Sequence, residues 1–153
     1  MKGKKLFYIF GDPFGADESK PGITGHGDVR LGVYQNSYSR NSHTARFDVV
    51  WIGPSRAIES LEKVIKQTYN WDIERDGRGH SEWISLNYKI IEPKIDELIK
   101  GYNFKITKVP KKYLPVTVDN LQECLDSLSQ WVRYLDSLTV DRVSDVCYNI
   151  HIH

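Results

Sequence analysis

Apolar residues come along this chain in short separated runs, and the spacing within each run predicts the element it forms. LFYIF (6–10) is an aromatic and β-branched run closed by GDPFG, which predicts a buried strand ending in a turn. Tyr8 stands in its middle and by period two shares a face with Leu6 and Phe10. After the polar stretch ADESK (16–20), PGIT (21–24) predicts a short second strand in a hairpin with the first. Gly25 and Gly27 permit a tight turn, and Asp28 is placed to cap a helix running to about Ser37. RFDVVWIG (46–53) is the clearest strand, with Phe47, Val49 and Trp51 on one face and Val50 and Ile52 on the other. Being apolar on both faces, it is expected at the centre of a sheet.

The period then lengthens. Pro54 and Ser55 open a helix through Tyr69, whose stripe is Ile58, Leu61, Ile65 and Tyr69. Residues 70–81 read as a glycine-containing loop, and 82–88 as a short strand or an irregular segment. A further helix carries Pro93 near its start and Ile91, Ile95, Leu98 and Ile99 on one side, with Gly101 as its stop. Residues 103–118 read as extended. Asp119 and Gln122 have capping-box spacing before a long helix (119–138) with a seam of Leu121, Leu125, Leu128, Val132 and Leu135. VCYNIHIH (146–153) alternates like a final strand. The sum is an α+β fold: a small antiparallel sheet of about three strands flanked by helices. The expected division is a domain over 1–100 and a C-terminal extension over 101–153 with a basic linker and the long helix.

Composition changes this picture little. The chain of 153 residues carries 21 Lys+Arg against 20 Asp+Glu, so net charge alone announces no nucleic-acid partner. Cys124 and Cys147 form no CxxC pair and stand in apolar surroundings, as small hydrophobes do. No leader is recognisable before Gly11, and no run approaches the roughly 20 apolar residues of a membrane span. A cytoplasmic protein with no membrane partner is expected.

Some residues stand out against the bland pattern. Glu62 lies on the stripe of the 55–69 helix, four after Ile58 and three before Ile65. A carboxylate facing a core is costly unless paired or bound to a cation; it is otherwise an edge residue reaching water. Magnesium commonly takes only one or two protein carboxylates, the rest of its shell being phosphate and water. In KPGITGHGDVRLGVYQ (20–35), a helix capped by Asp28 has Arg30 and Tyr34 on one face, beside glycine-exposed N–H groups. A guanidinium fork and a helix N-terminus both suit phosphate, although for this stretch alone a structural turn is the favoured reading. The GK[ST] ending of a P-loop and the GxGxxG of a dinucleotide fold are absent.

Taken in order, these pieces resemble the GIY-YIG nuclease superfamily. The first motif is LFY (6–8) and the second is KPG (20–22), with Arg30 eight residues after Gly22 and Tyr34 four beyond that. A strand and a helix with an internal glutamate follow, AIESLEKVIK with Glu62, then GHSEWI (79–84), similar to the G-x-x-EW signature. The match covers about residues 5–88. Leu6 replaces the family's first glycine, Lys20 its second tyrosine, and Pro21 stands mid-motif.

The resemblance implies a DNA endonuclease of phage, mobile-element or restriction type that hydrolyses phosphodiesters with one Mg2+ or Mn2+. Tyr8, Lys20, Arg30, Tyr34 and Glu62 would be catalytic. It implies Glu62 as the metal ligand, Gly22 and Arg30 as phosphate-binding, and Tyr8 or Tyr34 as the group that orients or deprotonates water. A free tyrosine, pKa about 10, is a poor base at pH 7, and Lys20 is placed to stabilise its phenolate. Lys5, Arg40, Arg46, Arg78 and Asn87 are candidate DNA contacts, with Lys2, Lys4, Arg75, Lys108, Lys111 and Lys112 as further phosphate-positioning cations. The alternative is a module of the same fold that binds DNA or protein without turnover. One site cuts one strand, so double-strand cleavage needs a homodimer or sequential nicks. The 119–138 seam serves a dimer or the chain's own core.

Overall fold

The computed structural model describes residues 3–11, 17–25, 46–75, 83–117 and the single positions 120, 123, 130 and 133. The chain divides into two units, 1–119 and 120–153. In the second unit Glu123, Gln130 and Arg133 are helical; the rest of the expected 119–138 helix and the strand at 146–153 lie outside the described residues.

The first unit is built on a mixed sheet. Strands β1 (Lys4–Gly11), β2 (Ser19–Thr24) and β3 (Arg46–Pro54) form its antiparallel centre, β1 between the other two. Helix α1 (Ser55–Tyr69) follows β3, and the two-residue β4 (Glu74–Arg75) returns to pair parallel with β2. After α2 (Tyr88–Gly101), the short strands β5 (Thr107–Lys108) and β6 (Val116–Thr117) both pair with β3. The sheet is thus wider than the three-stranded antiparallel sheet the sequence suggests, and β4 makes it mixed. Because β5 and β6 belong to it, the first unit continues past residue 100, where the sequence division was placed.

Alternation on β1 explains the layering. Phe7 and Ile9 point to one face, where they join Ile23, Val49 and Trp51 and bury Ile58, Leu61 and Ile65 of α1 and Ile91 and Ile95 of α2. Leu6, Tyr8 and Phe10 point to the other face and are equally buried. Across this second face stand Gly22 opposite Tyr8, Lys20 opposite Phe10 and Thr24 opposite Leu6, since paired residues share a face. Each large side chain buried on either face contributes roughly 1.5–3 kcal/mol.

The ends of the helices obey local chemistry. α1 ends at Asn70 in the left-handed conformation (φ 57°), with its N–H on the Lys66 carbonyl. Asn87 caps α2 by accepting a 2.9 Å bond from the Lys89 N–H. Gly101 is the last residue of α2, but the left-handed turn beyond it falls on Asn103 (φ 55°), which tolerates that region through its short polar side chain. Trp51 Nε1 donates to Asp96 of α2 at 2.9 Å, fixing that helix on the sheet.

A bulge corrects one expectation. The register steps from Ile9 opposite Val49 to Phe10 opposite Phe47, leaving Asp48 as the extra residue. The slip moves Phe47 off the face of Val49 and Trp51 and onto that of Tyr8, where the rings stack with centroids 4.4 Å apart. Asp48 Oδ1 accepts from Arg46 Nε at 2.8 Å, while Oδ2 is buried without a hydrogen bond. A Cβ on Gly11 would collide with Oδ2, so this approach to β1 requires glycine.

Burial raises the Asp48 carboxyl above its ordinary pKa, outweighing the charge and hydrogen bond of Arg46 that lower it. The folded protein therefore holds that proton more tightly than the unfolded chain. Stability from this group is full below the ordinary carboxylate value and is lost as pH rises through the raised one. Asp48→Asn is expected to be more stable than wild type at neutral pH, the gap closing as pH falls below about 4. Urea denaturation between pH 3 and 7 measures it; equal pH slopes for the two proteins would exclude this role.

Candidate active site

The hairpin β1–β2 brings three of the sequence-predicted residues together. Tyr8 lies wholly buried with its ring across the backbone of Gly22. A Cβ added to Gly22 would stand 2.8 Å from Cε1 of Tyr8 and closer still to Cζ and Oη. Glycine is required here for room rather than for backbone conformation. Lys20, on the same face two residues earlier in β2, is also buried.

Lys20 is held by residues from outside the hairpin. Its Nζ is 3.9 Å from Glu74 Oε2, and the two side chains are only 7% and 6% exposed. Nζ also stands 6.0 Å from the centre of the Trp83 ring, which itself packs on Phe10. Trp83 is the tryptophan of the EW pair; residues 79–82 of that motif lie outside the described residues. The β2 edge is held at both ends of KPG: Ser19 exchanges backbone bonds with Ile84 at 2.9 and 2.8 Å, and Gly22 pairs with Glu74. Pro21 falls between these two outer contacts, where strand proline is tolerated.

Glu62 is placed differently. It projects from the buried side of α1 with its side chain 8% exposed, and Oε2 has no hydrogen-bond partner. Among the described residues the nearest cation is Arg75, whose Nε is 3.7 Å from Oε2, beyond hydrogen-bonding reach. Arg75 is paired with Ile23, which belongs to the helix-covered core, whereas Glu74 is paired with Gly22 on the face of Tyr8. β4 thus sends its two charges to opposite faces: Glu74 to Lys20, and Arg75 to Glu62. Tyr8 and Lys20 are brought together, and Glu62 approaches the sheet from the other side.

The remaining candidates divide between structural tasks and solvent. Lys5 donates to Glu59 at 3.1 Å, and that bond, with the nearby Lys5 charge, holds the Glu59 carboxyl below its ordinary pKa. Arg46 is tied to Asp48, and Asn87 caps α2 and donates to Asp17 at 3.2 Å. Lys108 is held between Glu92 and Asp96. Burial lowers its pKa, but their hydrogen bonds and charges outweigh this and raise it overall. Lys111 and Lys112 are exposed. Arg30, Tyr34, Arg40, Arg78 and Lys2 lie outside the described residues.

A divalent cation on Glu62 is compatible with the chemistry of its donor. A buried carboxylate oxygen left without a hydrogen bond costs on the order of 1–3 kcal/mol, and a hard cation is one partner that repays it. Among the described residues no group of three or more His, Cys, Asp or Glu side chains converges on one point, so phosphate and water would complete the shell. Two residues escaped the sequence reading. Glu74 lay within a presumed loop, because two residues are too few for a period to register. Glu59 appeared only as one more polar position on α1.

Comparison of the chain with family models, with curated proteins and with solved structures finds no match.

The tight packing of Tyr8 on Gly22 gives a direct test. Gly22→Ala is expected to destabilise the protein by roughly 1–3 kcal/mol through overpacking. In Tyr8→Leu/Gly22→Ala the ring atoms that would collide are gone, so the double mutant should be less destabilised than the sum of the single changes. Chemical denaturation of the four proteins measures the coupling, and strict additivity would show that the ring does not oppose a Cβ at position 22.

Proposed function

We propose that this chain is a metal-dependent DNA endonuclease that hydrolyses phosphodiester bonds. The observation that supports the reading best is Glu62: a carboxylate with a buried oxygen lacking any hydrogen bond, on the first helix after the third strand. That is the place where the resemblance to GIY-YIG nucleases puts a metal-binding glutamate. The Tyr8–Gly22 contact supports it from the hairpin, since it gives the glycine of the second motif a physical task.

In this reading Glu62 holds Mg2+ or Mn2+. The bound metal would supply Lewis-acid polarisation of a phosphoryl oxygen and stabilise the departing 3′ oxygen. The attacking water is assigned to one tyrosine hydroxyl, Tyr8 or Tyr34; Tyr8 would serve it from the sheet face opposite Glu62, where Lys20 on the same face would favour the ionised phenol. Arg30 is assigned to the charge that builds on the scissile phosphate.

A second reading is favoured by one observation: Glu62 and Tyr8 belong to opposite faces of the sheet, as their partners Arg75 and Glu74 do. A module that binds DNA without cutting it needs no convergence of these residues.

Plasmid nicking with Mg2+, alongside DNA binding by the same proteins, separates the two. The endonuclease reading expects nicking by wild type and losses on the order of 10²–10³-fold in Glu62→Gln and Arg30→Ala, with binding kept. Lys20→Met should be slowed across pH 6–9, and a full rate there would remove Lys20 from the chemistry. Binding by every form with nicking by none selects the binding module. Absence of both activities rejects both readings.

A further inference from the structure

Glu62 is one member of a row of charges that runs from β1 across α1 to β4. Lys5 Nζ stands 3.1 Å from Glu59 Oε1, Arg75 Nη2 stands 3.7 Å from that same oxygen, and Arg75 Nε stands 3.7 Å from Glu62 Oε2. Glu59 and Glu62 are one helical turn apart, which puts them on one side of α1. The guanidinium of Arg75 thus lies near both carboxylates and hydrogen-bonds to neither. It is half exposed, at 49%, while the Glu62 carboxylate beside it is 92% buried by the same measure (8% exposed).

This geometry is unusual for an arginine. A guanidinium meeting a carboxylate normally forms a two-point fork at about 2.7–2.9 Å. Here the charge is supplied and the hydrogen bonds are not. Arg75 stands beside Glu62, yet among the described residues Oε2 accepts no hydrogen bond. Such a carboxylate remains open to a ligand that binds closer than 3.7 Å and needs no donor hydrogen. A divalent metal ion, with oxygen ligands at roughly 2.0–2.6 Å, meets that description.

We infer that Arg75 is a tethered counter-cation: it screens Glu62 in the metal-free protein and gives way when a divalent cation binds that carboxylate. The inference rests on the reading of Glu62 as the metal-binding group. The second arm of the row makes the exchange feasible. Glu59, already hydrogen-bonded to Lys5, retains the Arg75 guanidinium when Glu62 is taken by the metal, so Arg75 pivots rather than being expelled. Its position on a two-residue strand at the sheet edge gives the side chain a solvent path. Arg75 is then a positioning residue and a brake on premature metal capture, and it does not touch the reacting atoms.

The test is direct Mn2+ binding to the full chain, by calorimetry and by the loss of the free-ion paramagnetic signal, without DNA. Arg75→Gln is expected to bind Mn2+ roughly three- to tenfold more tightly than wild type, the effect of removing one competing charge near a partly buried carboxylate. Arg75→Lys, which keeps the charge, should stay near wild type, and Glu62→Gln should lose the site. Arg75→Gln should also melt lower than wild type without metal and regain the difference as Mn2+ is added. If Glu62→Gln weakens binding while Arg75→Gln leaves it unchanged or weaker, Arg75 is no counter-cation and the metal reading of Glu62 survives. If wild type binds no Mn2+, or Glu62→Gln binds it equally well, the metal reading itself fails and takes the inference with it.

Discussion

A sheet covered on both faces has no interior place for an unpaired charge, and that constraint organises this molecule. β1 is buried on both faces, Phe7 and Ile9 towards the helices and Leu6, Tyr8 and Phe10 away from them. Charges that must lie near the sheet are therefore matched at its edges. Lys20 is buried in β2 and would be untenable alone; Glu74, delivered by β4, accompanies it. Lys108 on the opposite edge is enclosed by Glu92 and Asp96, and Asp96 also receives the Trp51 indole. The Lys20–Glu74 pair is a consequence of two-sided burial, whereas the Lys108 cluster sits partly exposed at the sheet's edge.

The bulge at Asp48 shows what a single extra residue does in such a sheet. Without it, Phe47 would share the helix-side face with Val49 and Trp51. With it, Phe47 crosses and stacks on Tyr8, which fixes that ring over Gly22. The cost is a carboxylate drawn against the β1 backbone with one oxygen unsatisfied. Arg46 offsets only part of this, as the raised Asp48 pKa records. The packing of Tyr8 and the strain at Asp48 have one local cause.

Much of this was legible in the sequence because it follows from period and punctuation. α1 over 55–69 is announced by Pro54, Ser55 and a clean 3.6-residue stripe, and β1 and β3 by runs too apolar to be anything but buried. The side of Tyr8 followed from alternation alone. What period cannot register is shorter than a period or interrupts it. β4 has two residues, so Glu74 and Arg75 looked like loop charges; the Asp48 bulge shifts the phase within a strand whose alternation looked unbroken. The left-handed residue ending α2 is Asn103, not the glycine that usually marks such an end, because asparagine tolerates the same conformation. Of the proposed site, Gly22 was legible as a motif but its reason was not: only a cross-strand register puts Tyr8 on top of it.

The division of charges by β4 bears directly on how the site is to be understood. Were Glu62 an ordinary edge carboxylate, a relaxed Arg75 at half exposure has every freedom to close the last ångström and form the usual fork. It does not, and Glu59 explains why: its oxygen competes for the same guanidinium from one turn away, while Lys5 holds Glu59 in place. The helix thus keeps a buried carboxylate beside a guanidinium and yet incompletely bonded. A protein selected only for stability has a simple remedy, an apolar residue at position 62, continuing the stripe of Ile58, Leu61 and Ile65. A carboxylate kept there with one oxygen unsatisfied interrupts the apolar stripe at a cost that the packing of Ile58, Leu61 and Ile65 does not offset.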